Sequence, residues 1–138
     1  MDKLIIVLMF AIISCTKENS AVPSVTLGNK IEATYDNEVA YQEGVKVKIT
    51  KIEDSRCPKN VTCVWMGSVK VYLKISESNV SKDAILEFLA DNAKPSTTTV
   101  ELGNQKYSVE ISDVLPYPEN SGEIKLKDYK VTLTVKKL

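Results

Sequence analysis

From residue 45 onward, apolar and polar side chains alternate with a period of two. Val45, Val47 and Ile49 interleave with Lys46, Lys48 and Thr50, and Val69, Val71, Leu73 and Ile75 with Lys70, Tyr72, Lys74 and Ser76. The same holds for Tyr107, Val109 and Ile111, and for Tyr129, Val131, Leu133 and Val135. Successive side chains of a strand point to opposite faces, so each run predicts a strand with one apolar and one Lys/Thr/Ser face. Such strands form antiparallel sheets packed on one side. Ile31, Ala33 and Tyr35 predict an earlier strand after a Gly28-Asn29 turn, and Gly103-Asn104 predicts the turn into the Tyr107 strand. Residues 84–90 fit two readings. Ile85, Leu86, Phe88 and Leu89 have helical spacing behind Asp83 as a cap, but their place between strands and the following Thr97-Thr98-Thr99-Val100 run favour a strand. The pattern predicts an all-β chain folded as an antiparallel β-sandwich of about seven to nine strands.

The N-terminus breaks this pattern. Leu4 to Ile13 is an unbroken apolar run behind Lys3. As a helix it reaches about 15 Å, half of a bilayer core of about 30 Å, which suits the apolar region of a signal peptide and not a stable span. Ile12-Ile13-Ser14-Cys15 resembles, loosely, the lipobox of bacterial lipoproteins. That resemblance implies cleavage before Cys15, a diacylglycerol thioether on its sulfur and an acylated new N-terminus. The acyl chains would then anchor the protein to a membrane of the cell envelope. Residues 1–14 are thus expected to be a signal peptide that is helical before removal, 15–24 a polar lipidated tether, and 25–138 a single domain. Lys17-Glu18 looks like the signal that sends some Bacteroidetes lipoproteins to the outer face of the outer membrane. One acidic residue leaves the surface and periplasmic faces both open.

Composition narrows the chemistry. Lys plus Arg and Asp plus Glu are both 18, so the chain of 138 residues has no net charge and no basic field to suit a nucleic acid. Histidine is absent, which removes imidazole bases, Ser-His-Asp and Cys-His machinery and most zinc and copper sites. Glu53, Asp54, Glu110 and Asp113 could supply carboxylates, but no spacing selects a pair for acid–base work. The expectation is a monomeric, non-catalytic protein without cofactor or metal.

With Cys15 lipidated, Cys57 and Cys63 are left as a pair. In an oxidising envelope they read as a disulfide closing a small loop, which the loop-entropy relation values at about 2–3 kcal/mol. Two thiolates without histidine make an incomplete zinc site, and a redox pair is more usually Cys-x-x-Cys. Around this pair, residues 53–67 hold the only tryptophan, Trp65, and the one arginine, Arg56, among basic residues that are otherwise all lysine. A planar guanidinium matters where bidentate geometry is required. In one reading Arg56 pairs with Asp54 and locks the loop, Cys63 and Trp65 share a core-facing strand face, and Gly67 allows a bulge before the Val69 strand. In the other, Arg56, Lys59 and Asn60 form a rigid recognition loop. Pro116-Tyr117-Pro118 predicts a stiff loop, with Tyr117-Pro118 a candidate cis bond. Tyr117 either covers the end of the sandwich or offers a ring for stacking.

Asp54-Ser55-Arg56-Cys57-Pro58, Cys63-Val64-Trp65 and Gly67 resemble the signature of small uncharacterised lipoproteins from Bacteroidetes and related bacteria. The likeness extends to Leu115-Pro116-Tyr117-Pro118 and to the closing strand from Asp128 to Leu133. It departs at Met66, where the family more often has alanine. The resemblance implies a small exported β-sandwich and nothing about catalysis; the fold expected for the chain is immunoglobulin-like in architecture. The Cys–Trp neighbourhood differs from an immunoglobulin core, because a bridge between residues six apart staples one loop and does not join two sheets. The functional expectation is a lipid-anchored binding module that meets a protein or glycan. The alternatives are an inhibitor presenting its stapled loop to a protease and, less favoured, a small envelope enzyme.

Overall fold

The computed structural model describes residues 24–91 and 94–138. The expected signal peptide, Cys15, Lys17-Glu18 and the tether up to residue 23 lie outside the described residues. Among those described, eight strands form two four-stranded antiparallel sheets. The strands are β1 (Lys30–Thr34), β2 (Glu38–Ala40), β3 (Val45–Asp54), β4 (Ser68–Glu77), β5 (Val80–Leu89), β6 (Ser96–Leu102), β7 (Gln105–Leu115) and β8 (Lys130–Lys137). One sheet has the order β1-β8-β7-β6 and the other β2-β3-β4-β5. The all-β sandwich is therefore as the alternation predicts. The ambiguous segment is strand: Ala84 to Leu89 belong to β5, which begins earlier, at Val80.

The inner faces are the apolar halves of the alternating runs. Val45, Val47, Ile49, Val69, Val71, Leu73 and Ile75 of one sheet face Tyr107, Val109, Ile111, Val131, Leu133 and Val135 of the other, all essentially inaccessible to water. Each buried aliphatic side chain contributes roughly 1.5–3 kcal/mol relative to exposure. Lys46, Lys48, Lys51 and Lys74 on the outer face pair with Glu38, Asp36, Glu53 and Asp83. These exposed pairs add little stability.

Two β-bulges change the phase of the alternation. In β3 the register with β4 shifts between Ile49 and Lys51, and in β7 the register with β8 shifts between Ile111 and Asp113. The next inward residues are Ile52 and Val114, three positions on instead of two. An extra residue in one strand re-aims everything after it. Both bulges lie toward the same end of the sandwich, and they turn the last residues of β3 and β7 toward each other.

The sandwich has two distinct poles. At the entry pole Val25 bridges to Tyr41, Tyr41 N–H donates to the Val45 carbonyl and Gly28 N–H donates to the Val135 carbonyl. The opposite pole carries residues 55–67, between β3 and β4, and residues 116–129, between β7 and β8, where Leu126–Asp128 form a 3₁₀ turn. Leu133→Ala should cost about 2–5 kcal/mol, because it empties a fully buried site at the centre of β8. Ile85→Ala, on the exposed face of β5, should stay within about 0.5 kcal/mol. Urea unfolding of the two variants checks the contrast.

Candidate functional site

The chemistry-bearing residues of the sequence converge at the pole opposite the chain entry. Asp54 ends β3 facing inward, in the phase set by the bulge, and Arg56 follows two residues later. Arg56 is 5% exposed. Its Nε and Nη2 donate to Asp54 Oδ1 at 2.9 Å and Oδ2 at 2.6 Å, a bidentate pair. Nη1 donates to the Val114 carbonyl at 2.7 Å, and Nη2 also donates to the Pro116 carbonyl at 2.9 Å. The Asp54 carboxylate accepts two further bonds, from Arg56 N–H at 3.1 Å and from the Tyr129 hydroxyl at 3.0 Å. Asp54 ends β3 of one sheet, while Val114 lies in β7 and Pro116 and Tyr129 flank β7 and β8 of the other, so the pair ties the sheets together. The Tyr117 ring lies over the guanidinium at 4.9 Å, and its hydroxyl donates to the Cys57 carbonyl at 2.9 Å. The guanidinium is thus engaged internally, and the locking reading of Arg56 and Asp54 holds geometrically. Arg56 does not face outward as a member of a recognition loop.

The loop from Cys57 to Gly67 is fixed at both feet. Cys57 and Cys63 are joined by a disulfide with their Cα atoms 6.0 Å apart. Cys57 N–H donates to the Met66 carbonyl, Ser55 N–H to the Ser68 carbonyl and Ala90 N–H to the Gly67 carbonyl. Lys59 and Asn60 N–H donate to the Pro118 and Glu119 carbonyls, and the Asn60 side chain donates to Asn120. Gly67 has φ +74°, and a Cβ there would collide with the Ser55 carbonyl oxygen. Its lack of a side chain serves that close approach. The expected bulge at Gly67 does not occur, because β3 and β4 stay in register through Asp54 and Val69.

Between these feet the side chains point outward. Val64 is fully exposed, Trp65 is 64% exposed, and Val61 and Met66 are also exposed. This corrects the expectation that Cys63 and Trp65 lie on one core-facing strand. Residues 63–66 belong to no strand, because the chain bends at Val64 and Trp65 and β4 begins only at Ser68. Lys59 and Asn60 are exposed as expected. Tyr117 is half-buried between the Arg56 guanidinium and the Lys59 ammonium, so it covers the pole more than it offers a face. The cis peptide of this region is Leu115-Pro116, and not Tyr117-Pro118.

Two hollows flank the loop, each of about 550 Å³. One is polar and lies over the locked pair, between Glu53, Asp54 and Tyr129 and the 118–126 segment. The other is mostly apolar and is lined by Pro58, Val61, Met66, Ala90 and Tyr117. Among the described residues no group of three or more Asp, Glu, His or Cys side chains is placed to hold a metal. Sequence reasoning missed Tyr129 as a member of the locked cluster. The available signal was the slip from Ile49 to Ile52, which places Asp54 on the inner face. Comparison with protein-family models, curated proteins and solved structures gave no match.

Arg56→Ala should destabilise the domain by about 3–5 kcal/mol, since it leaves Asp54 as a buried unpaired charge. Gly67→Ala should cost more than about 2 kcal/mol, whereas Trp65→Ala should stay within about 0.5 kcal/mol. Chemical denaturation orders the three. Burial, and then the Asp54 carboxylate, push the Tyr129 phenol well above its ordinary value of 10.0. Burial raises Tyr41 likewise, and burial followed by a hydrogen bond with Glu77 pushes Tyr107 up to about 12. A raised folded-state pKa means that the unfolded chain loses these protons first. The stabilisation is complete below about pH 10 and is lost as pH rises through the folded values. In an alkaline titration, the phenolate absorbance of these three of the six tyrosines should appear only together with unfolding.

Proposed function

We propose that the protein is a lipid-anchored binding module of the bacterial envelope, acting through the stapled loop at its far pole. The observation that carries this reading is the exposed cluster Val61, Val64, Trp65 and Met66 on a backbone fixed from both sides. A folded protein has no internal use for these side chains, since removing them opens no core. Exposed tryptophan on a preorganised loop is a recurrent source of binding energy, because little conformational freedom is lost on contact. The position of the loop, at the opposite pole from Val25, places it away from the segment that leads back to Cys15. Anchoring at Cys15 and export to the envelope, most naturally the outer membrane, remain part of the proposal, as do a monomeric state and the likeness to small Bacteroidetes-type lipoproteins.

The role is proposed as non-catalytic. The carboxylate and guanidinium that the sequence offers for chemistry are bonded to each other and to Val114, Pro116 and Tyr129. The inhibitor alternative draws on the same rigid loop. The bends at Val64 and Trp65 give that loop a knuckle shape, which suits a protease cleft less well than an extended strand would.

Cys15→Ser should move the protein from the membrane to the soluble fraction of the envelope. A photo-crosslinking residue at Val64 should form adducts in intact cells, whereas one at Ser81, near the entry pole, should not. Equal labelling at both positions would remove the loop from the functional reading. A membrane fraction unchanged by Cys15→Ser would remove the anchor.

A further inference from the structure

The apolar tip and the chain entry are separated by the length of β3. Val25 is bridged to Tyr41 at one pole, and β3 runs ten residues from Val45 to Asp54 before the loop begins. At about 3.3 Å per residue that strand is about 33 Å long. Residues 15–24, at full extension, span at most about 33–36 Å. A domain attached through Cys15 can therefore tilt until its far pole meets the same bilayer that holds the acyl chains.

The chemistry of the tip fits a lipid surface. From Ser55 to Gly67 there is no Asp or Glu in a chain that is otherwise rich in both. The one exposed charge in this stretch is the Lys59 ammonium, since Arg56 is buried against Asp54. The supporting segment 116–129 carries Glu119, Glu123 and Asp128 beside Lys125 and Lys127, and the Glu119 carbonyl accepts from Asn60 N–H. The four exposed apolar side chains offer a single hydrogen-bonding group, the Trp65 indole N–H. A glycan would leave hydroxyls unpaired against such a surface. An interfacial membrane layer asks only for apolar area, an amphipathic ring at headgroup depth and the absence of carboxylates. A lysine beside the tip adds attraction to anionic headgroups.

We propose that Val61, Val64, Trp65 and Met66 insert into the interfacial layer of the bilayer that carries the Cys15 acyl chains, giving the domain a second membrane contact. The inference rests on the lipid-anchor reading for which bilayer is met. Because the tether makes the second contact intramolecular, a tip too weak to hold a free protein still holds an anchored one. The occupant of the loop is then lipid, and the domain lies tilted against the membrane.

Trp65 is the only tryptophan in the chain, so its fluorescence reports the tip alone. The test takes the full protein from its membrane and reconstitutes it in vesicles of phosphatidylethanolamine and phosphatidylglycerol whose acyl chains are brominated. The expected result is vesicle flotation with a blue-shifted, bromine-quenched Trp65. Val64→Asp, at a site with no packing role, should keep the unfolding transition and lower the quenched fraction roughly tenfold. Flotation with a water-like, unquenched Trp65 would overturn the inference and leave the anchor standing. A blue shift that follows protein concentration without lipid would overturn it in favour of a second copy covering the tip. A shift appearing only with envelope protein added would overturn it in favour of a protein partner. The mass of the Cys15 peptide reads acylation separately. If that cysteine is unmodified, the anchor reading fails and takes this inference with it, whereas an acylated protein with an unquenched Trp65 overturns the inference alone.

Discussion

The buried ion pair between Asp54 and Arg56 is the constraint around which the far pole is organised. Taking two charges out of water is costly, and their attraction compensates only when the remaining donors and acceptors are satisfied. That condition is met closely. The carboxylate accepts four bonds and the guanidinium reaches carbonyls at Val114 and Pro116. Such a pair is a poor source of net stability compared with apolar packing, but it tolerates only one arrangement of the groups around it. It fixes how the end of β3 sits against the end of β7 and against Tyr129, and so it fixes the platform from which the loop projects.

The two bulges are what make the pair possible. Without the shift near Thr50, the inward phase of β3 set by Val45, Val47 and Ile49 would put Asp54 on the outer, lysine-rich face. Without the matching shift near Ser112, Val114 would turn outward. Each bulge breaks one step of ladder pairing and re-aims a strand end. The two sheets change phase toward the same pole, so a charge pair and its backbone acceptors meet where plain alternation would have placed them on opposite sides of a sheet.

The strands were legible because a buried face imposes a period of two over five to seven residues, as in Val45 to Ile49, Val69 to Ile75 and Tyr129 to Val135. Strand β2 was not, since three residues are too few to show a period. The lock was half legible. An arginine standing alone among lysines, two residues from an aspartate, pointed to pairing. Its other acceptors are main-chain carbonyls 58 and 60 residues away, and a carbonyl leaves no mark in the sequence. Trp65 was misplaced for a simple physical reason. Cys63 and Trp65 have strand spacing and apolar character, and nothing local shows that the disulfide and the positive φ of Gly67 hold this stretch away from the sheet. Apolar character alone does not separate a core residue from an exposed one.

Almost every bond that shapes the loop is made by main-chain atoms or by its two cysteines. Ser55, Cys57, Lys59, Asn60 and Ala90 contribute N–H groups, and Met66, Gly67, Ser68, Pro118 and Glu119 contribute carbonyls. The side chains at 61 and 64–66 have no share in that framework. The loop behaves as an interchangeable cassette: its form is carried by the backbone, while the side chains of its outward face are free to vary. Drift at these positions would change the surface the pole presents and leave the fold untouched, whereas drift at Gly67 or Arg56 would be felt first as instability.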